Sequence, residues 1–246
     1  MSLDKVMAQD NSVSKEIAAA RACVLCADRL PLGPRPILSM SATARLLIIG
    51  QAPGTKVHAT GIPWNDPSGL RLREWLGLAP EIFYDESRVA LLPVGMCYPG
   101  RLPGGGDAPP RPECARNWHP QLIPMLKNVR LTLLIGQYAH KYFLRERRKQ
   151  TLTETVQAFG EYLPEYLPMV LEELNFALLL LRGRAGAEGT EVAALPGASI
   201  LEAGVEAVAA RGELADHRSL RRSVRAPWRG ATPGSDRPLR SIRCRS

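Results

Sequence analysis

The amino-acid sequence predicts an α/β domain built on a parallel sheet, followed after Pro168 by a tail of another character, and three observations carry that reading. Short apolar runs are separated by helix-compatible sequence, as in successive strand–helix–strand units. The runs are apolar without alternation, the pattern of strands buried on both faces. Composition also shifts abruptly: from Met169 to Ser246 there are twelve Arg, no Lys and nine Asp plus Glu.

Taken in order, Ser14 to Cys26 carries small and apolar residues at helical spacing (Ile17, Ala20, Val24) and runs into a loop rich in Pro and Gly from Pro31 to Pro36. Leu46-Leu47-Ile48-Ile49, stopped by Gly50, reads as the first strand. Leu70 to Leu78 reads as a helix whose start is capped by Ser68 or Asp66. Val89 to Val94 and Leu131 to Ile135 are the second and third strands. Ligands of parallel sheets bind beyond the carboxyl ends of the strands, here Gly50 to Gly54, Gly95 to Tyr98 and Gly136 to Tyr138, so these loops are expected to be neighbours. Beyond Pro168, Met169 to Leu181 reads as a Leu-rich helix, with a helical pair extending to Arg211. The Arg/Ser/Pro ending from Arg218 is expected to be weakly ordered. The division is therefore 1–168 for the sheet domain and 169–246 for the tail.

The 246 residues, 45% hydrophobic and 23% charged, suit one globular domain with residues to spare and exclude two large domains, wholesale disorder and a fibrous repeat. The net charge of +8 favours a polyanionic partner, nucleic acid first. Met1 to Gln9 carries Asp4 and no apolar stretch, and no run reaches the length of a membrane span, so a cytoplasmic protein without membrane association is expected, as a monomer.

Five cysteines without an export signal argue for metal rather than disulfides. Cys23 and Cys26 form a C-x2-C pair; Cys97 and Cys114, separated by sixteen residues, sit in a Pro-rich loop that can bring two more thiolates to one centre. Cys244 falls outside the pattern. The bland reading is ordinary buried thiols, and the spacing by itself accommodates zinc or an iron–sulfur cluster equally.

Two segments could hold a base. Gly50-Gln51-Ala52-Pro53-Gly54 is a sharp turn after the first strand, where glycines let backbone N–H groups approach a ligand. Gly61-Ile62-Pro63-Trp64-Asn65-Asp66-Pro67-Ser68-Gly69 places an aromatic, an amide and a carboxylate before a helix start. Trp64 can stack on a base, Asn65 can read its edge, and the helix start can receive phosphate. The competing reading makes Trp64 a core residue and Asp66 a cap.

These residues resemble the uracil-DNA glycosylase superfamily, within it the branch that carries a four-cysteine 4Fe-4S cluster. The likeness covers Ala18 to Pro168 and rests on C-V-L-C at Cys23 to Cys26, L-L-I-I-G-Q-A-P-G at Leu46 to Gly54, G-I-P-W-N-D-P-S-G at Gly61 to Gly69, G-M-C-Y-P-G at Gly95 to Gly100, P-E-C at Pro112 to Cys114 and L-L-I-G-Q-Y-A at Leu133 to Ala139. The resemblance implies a three-layer αβα sandwich and a cluster on Cys23, Cys26, Cys97 and Cys114, with zinc as the lesser alternative. It further implies a uracil pocket formed by Gln51, Ala52, Pro53 and Gly54, with Trp64 as the stacking aromatic.

The chain departs from the family pattern in three places. An acidic residue usually stands where this chain has Gln51, and a neutral amide cannot act as a general base, so Asp66 is the expected substitute. The amide that reads uracil near the end of the second strand is replaced by Pro93, leaving Asn65 for that task. The late strand should deliver a His-Pro-Ser or His-Pro-Ala loop, yet of His58, His119, His140 and His217 none is followed by Pro-Ser, and His119-Pro120-Gln121 falls early, at an expected helix start. The pattern ends after Leu167-Pro168, through a lineage-specific tail or a shift of reading frame. The sheet is then expected to lose an edge or near-edge strand, leaving Leu131 to Ile135 to be covered by a helix at Leu174 to Leu181 or to remain exposed.

Two functions follow. The first is a repair enzyme that flips uracil out of DNA and hydrolyses its N-glycosidic bond, slowed by the missing histidine by something like 10² to 10³. The second is a DNA-binding protein with weak turnover or none, whose affinity comes from Arg71, Arg73, Lys141, Arg145, Arg147, Arg148 and Lys149. The run from Arg145 to Lys149 also reads as a solvated helix end.

Overall fold

The computed structural model describes residues 13–169 apart from residue 164. The expected tail helices, the Arg-rich ending, His217 and Cys244 lie outside the described residues. A first helix, α1, occupies 13–21 and stops before Cys23, earlier than the Cys26 expected from spacing. Then follow β1 (Leu46–Ile49), α2 (Thr55–Thr60), α3 (Pro67–Leu76), α4 (Pro80–Phe83), β2 (Val89–Leu91), α5 (Pro112–Leu122), β3 (Leu131–Ile135), α6 (Gln137–Phe143), α7 (Leu152–Gln157) and β4 (Tyr166–Met169).

The four strands form one sheet in the order β2-β1-β3-β4, all parallel. Leu46 is level with Val89 on one side and Leu131 on the other, and Leu133 is level with Leu167. Because side chains alternate along a strand, each strand feeds two cores. Leu47, Ile49, Ala90, Leu134 and Tyr166 pack with α1, α5 and α6 through Ile17, Trp118, Leu122 and Phe143. Leu46, Ile48, Val89, Leu133 and Leu167 pack with α3 and the end of α4 through Leu72, Leu76 and Phe83. Helices therefore cover both faces, and the three layers expected from the resemblance are present.

Two strands differ from expectation. β2 ends at Leu91 rather than Val94. Its bonds to β1 nevertheless continue, Leu92 N–H donating to Ile48 O at 3.1 Å and Val94 N–H to Gly50 O at 2.9 Å, so Pro93 falls on the side turned away from β1 and interrupts no bond to it. The expected loss of the late strand is corrected: β4 is present, pairs with β3 and runs one residue past Pro168, so Met169 belongs to a strand and not to a helix. Pro168 is tolerated because β4 has β3 as its one neighbour among the described strands, and a missing N–H on an outward edge breaks no ladder bond. All five residues of β3, which lies between β1 and β4, are buried, and the expected covering helix at Leu174 to Leu181 lies outside the described residues.

Candidate active site

The chain leaves β1 toward β2 on one side and returns to β3 on the other, so the crossovers diverge at the carboxyl ends of β1 and β3. Such divergence opens a crevice in α/β sheets. The loop from Gly50 to Gly54 lies at this edge, joined to the loop after β2 by the Val94 contact and by Gly95 N–H donating to Gln51 O at 2.9 Å. The third loop begins at Gly136 (φ 81°), the cap of α6, level with the end of β1 through the β1–β3 pairing.

Gln51 is half-buried, and its side-chain amide donates from Nε2 to the Ala108 carbonyl at 3.2 Å. Ala52 and Gly54 are half-buried and Pro53 is buried. Gly54 is the extended N-cap of the six-residue α2, which ends at left-handed Gly61.

Trp64 is held by an unusual number of constraints. It adopts φ 57°, a left-handed conformation that costs a non-glycine residue about 1 to 3 kcal/mol. Its carbonyl accepts from Arg73 Nη1 at 3.3 Å and from the Tyr84 hydroxyl at 3.4 Å, while Arg73 donates to the Tyr84 oxygen at 2.8 Å. The Arg73 guanidinium also lies 5.5 Å from the Phe83 ring centre and 5.4 Å from that of Tyr84. Two glycines make room: a Cβ on Gly50 would stand 2.6 Å from Trp64 Cζ2, and one on Gly69 would stand 1.7 Å from Trp64 O. The indole is half-buried, resting on the first residue of the Gln51 loop and against the second core. Desolvation pushes the Tyr84 phenol above its ordinary pKa, so it remains a donor to Trp64 O.

Asn65 is exposed. Asp66, not Ser68, caps α3, its Oδ1 accepting from Gly69 N–H at 2.8 Å. Arg73, expected on the DNA surface, is instead turned into the Trp64 turn. In the basic run, Lys149 pairs with Glu161 at 2.7 Å, and Arg147 donates to Glu161 O and lies over the Tyr162 ring. Arg71 and Lys141 are exposed.

Sequence reasoning missed Tyr84, which has no motif, and Asp107. The chain from Gly100 doubles back as a small hairpin: Arg101 bridges Asp107, Leu102 N–H donates to Gly106 O at 3.0 Å, and Ala108 N–H donates to Gly100 O at 2.8 Å. The run Gly104-Gly105-Gly106, with Gly105 and Gly106 at positive φ, is the signal that could have revealed this turn.

Of the described histidines, His119 and His140 are committed elsewhere. His119 lies in the last turn of α5, not at a helix start, and is fully buried. Its Nε2 donates to the Pro93 carbonyl at 3.0 Å, and burial pushes its pKa down to about 4. His140 is buried beneath the sheet edge, with Nε2 at 2.8 Å from Leu134 O and 3.2 Å from Met169 N. His58, on α2, faces Tyr98 with ring centres 6.1 Å apart.

Cys23, Cys26, Cys97 and Cys114 line one cavity together with Leu30, Met96 and Trp118. Cys114 Sγ accepts from Met96 N–H at 3.2 Å. Burial raises the thiol pKa of Cys26 and Cys97 and pushes Cys114 up to about 12. Arg29 and Arg111 hold Glu113 at 2.6 and 3.1 Å beside this cavity. Among the described residues, no three His, Cys, Asp or Glu side chains converge as a ready metal-ion cage. The chemistry of the donors, four soft sulfurs around a mostly apolar space with an N–H aimed at one of them, fits a thiolate-held centre.

A family model described as Uracil DNA glycosylase superfamily matches residues 39–180. That span takes in all four strands, the Gln51 loop, the Trp64 turn, Cys97 and Cys114, whereas Cys23 and Cys26 precede it.

Proposed function

The chain belongs to the uracil DNA glycosylase superfamily, whose members are DNA repair glycosylases, and from that premise we propose that it releases uracil from DNA by base flipping and hydrolysis of the N-glycosidic bond. The observation that carries this reading is the Trp64 turn. An indole kept in a left-handed conformation by two glycines, an arginine and a tyrosine, at the carboxyl edge of β1, is strain maintained where a ligand would sit.

In this reading the extruded base stacks on Trp64 and is read by Asn65. Backbone N–H groups of Gln51, Ala52 and Gly54 face the negative charge that develops on the departing ring. Asp66, anchored by one oxygen to Gly69 N–H, steadies the turn and offers its charge to the sugar cation. Cys23, Cys26, Cys97 and Cys114 would hold a 4Fe-4S cluster, with zinc as the lesser alternative. When bound, the centre supplies a structural cross-link between residues 23–26 and the loop after β2.

The second reading, a DNA-binding protein with weak turnover or none, draws on Gln51 being a neutral amide and on His119 and His140 being engaged elsewhere. Incubating the purified chain with uracil-containing single- and double-stranded DNA separates the two. Free uracil is the expected product, and retention of DNA without release would favour the binder.

A further inference from the structure

Position 51 carries an amide rather than an acid, and in the structure that amide is used as a donor. The Gln51 amide donates to the Ala108 carbonyl. A carboxylate in its place would present a lone pair to that oxygen and repel it. The same bond fixes the residue beside Asp107, at the closing pair of the hairpin, against the Gln51 loop. As a result Asp107 Oδ2 lies 3.6 Å from where a Cβ on Gly54 would stand. Asp107 is exposed. The carboxylate of Asp66, by contrast, is tied to the start of α3.

We propose that Asp107 is a catalytic carboxylate of this chain and that Gln51 is its positioning residue, a proposal that rests on the glycosylase reading above. As the C1′–N1 bond of the nucleotide breaks, its electron pair leaves with uracil. The oxygen of water bonds to C1′, and the proton released by that water passes to the Asp107 carboxylate and then to solvent. Uracil is reprotonated from solvent, so the net reaction consumes one water. Gln51 keeps the hairpin seated so that the carboxylate reaches across Gly54.

The test compares the full-length wild type with Asp107→Asn, Asp107→Glu and Gln51→Ala, reading uracil release, DNA affinity and thermal stability. Asp107→Asn is expected to lower kcat by about 10² or more, within the usual range for a general base, with affinity and melting temperature unchanged. Asp107→Glu should recover most of the rate. Gln51→Ala should lower kcat with little change in KM, since it unseats the carboxylate without touching the stacked base. An active wild type with an equally active Asp107→Asn overturns the assignment alone. Loss of rate matched by loss of affinity or stability also overturns it, because Asp107 would then only shape the hairpin. A wild type that releases no uracil overturns the glycosylase reading and this assignment together.

Discussion

Trp64 and Asp66 are adjacent in the sequence but answer to different forces. The indole is expected to contribute through stacking, so Trp64→Ala should weaken capture of uracil-containing DNA by about 1 to 3 kcal/mol, measured as a change in Kd. A loss smaller than the error of the titration would return Trp64 to a packing role. For Asp66 the informative change is to asparagine, which caps helices about as well as aspartate. Asp66→Asn should preserve the melting temperature and slow uracil release if the charge matters. If the side chain is only a cap, the asparagine variant keeps full activity, and Asp66→Ala alone lowers stability, by about 1 kcal/mol.

α5 carries a built-in sensitivity to acid. His119 titrates at its ordinary 6.5 when unfolded and at about 4 in the folded protein, where burial disfavours the imidazolium. Between those values the unfolded chain binds the extra proton, so stability falls as pH drops from 6.5 toward 4 and is unaffected by this group above 6.5. The shift corresponds to roughly 3 kcal/mol when fully expressed. His140, whose pKa burial also lowers, acts in the same direction. Urea unfolding at pH 4.5 and 7.5 should therefore show a smaller difference for His119→Gln, which retains a donor for Pro93 O, than for the wild type. Equal differences would mean that His119 is protonated in the folded state.

The whole molecule joins a segment outside the sheet to the sheet's ligand edge, since Cys23 and Cys26 follow α1 while Cys97 and Cys114 follow β2 and open α5. Protein purified without oxygen is expected to be brown, with broad absorption near roughly 400 nm, and any one of these four changed to alanine should lose the colour and iron. Cys244→Ala should keep both. A colourless protein with one zinc and no iron would replace the cluster with the alternative metal.

Strands β1 and β3 were legible in the sequence because an unbroken apolar run stopped by glycine is a local property, and burial on both faces of a parallel sheet demands it. The Gln51 loop, the Trp64 segment and the four cysteines were legible for a similar reason, as short motifs whose residue types carry their own chemistry. β4 was not, since Pro168 reads as a breaker until the strand is seen at an edge, where its missing N–H is not needed. The left-handed turn of Trp64 was also hidden, because Gly50, Arg73 and Tyr84 hold it from three separate elements. Nor could spacing show that Asp107 meets Gly54, an approach made by a hairpin folding back on a loop distant in sequence. Residue chemistry and periodicity determined the α/β class, strands β1 and β3 and the candidate ligands. Long-range packing alone decided which side chains are committed to the structure and that Asp107 lies beside Gly54, because those contacts join segments distant in sequence.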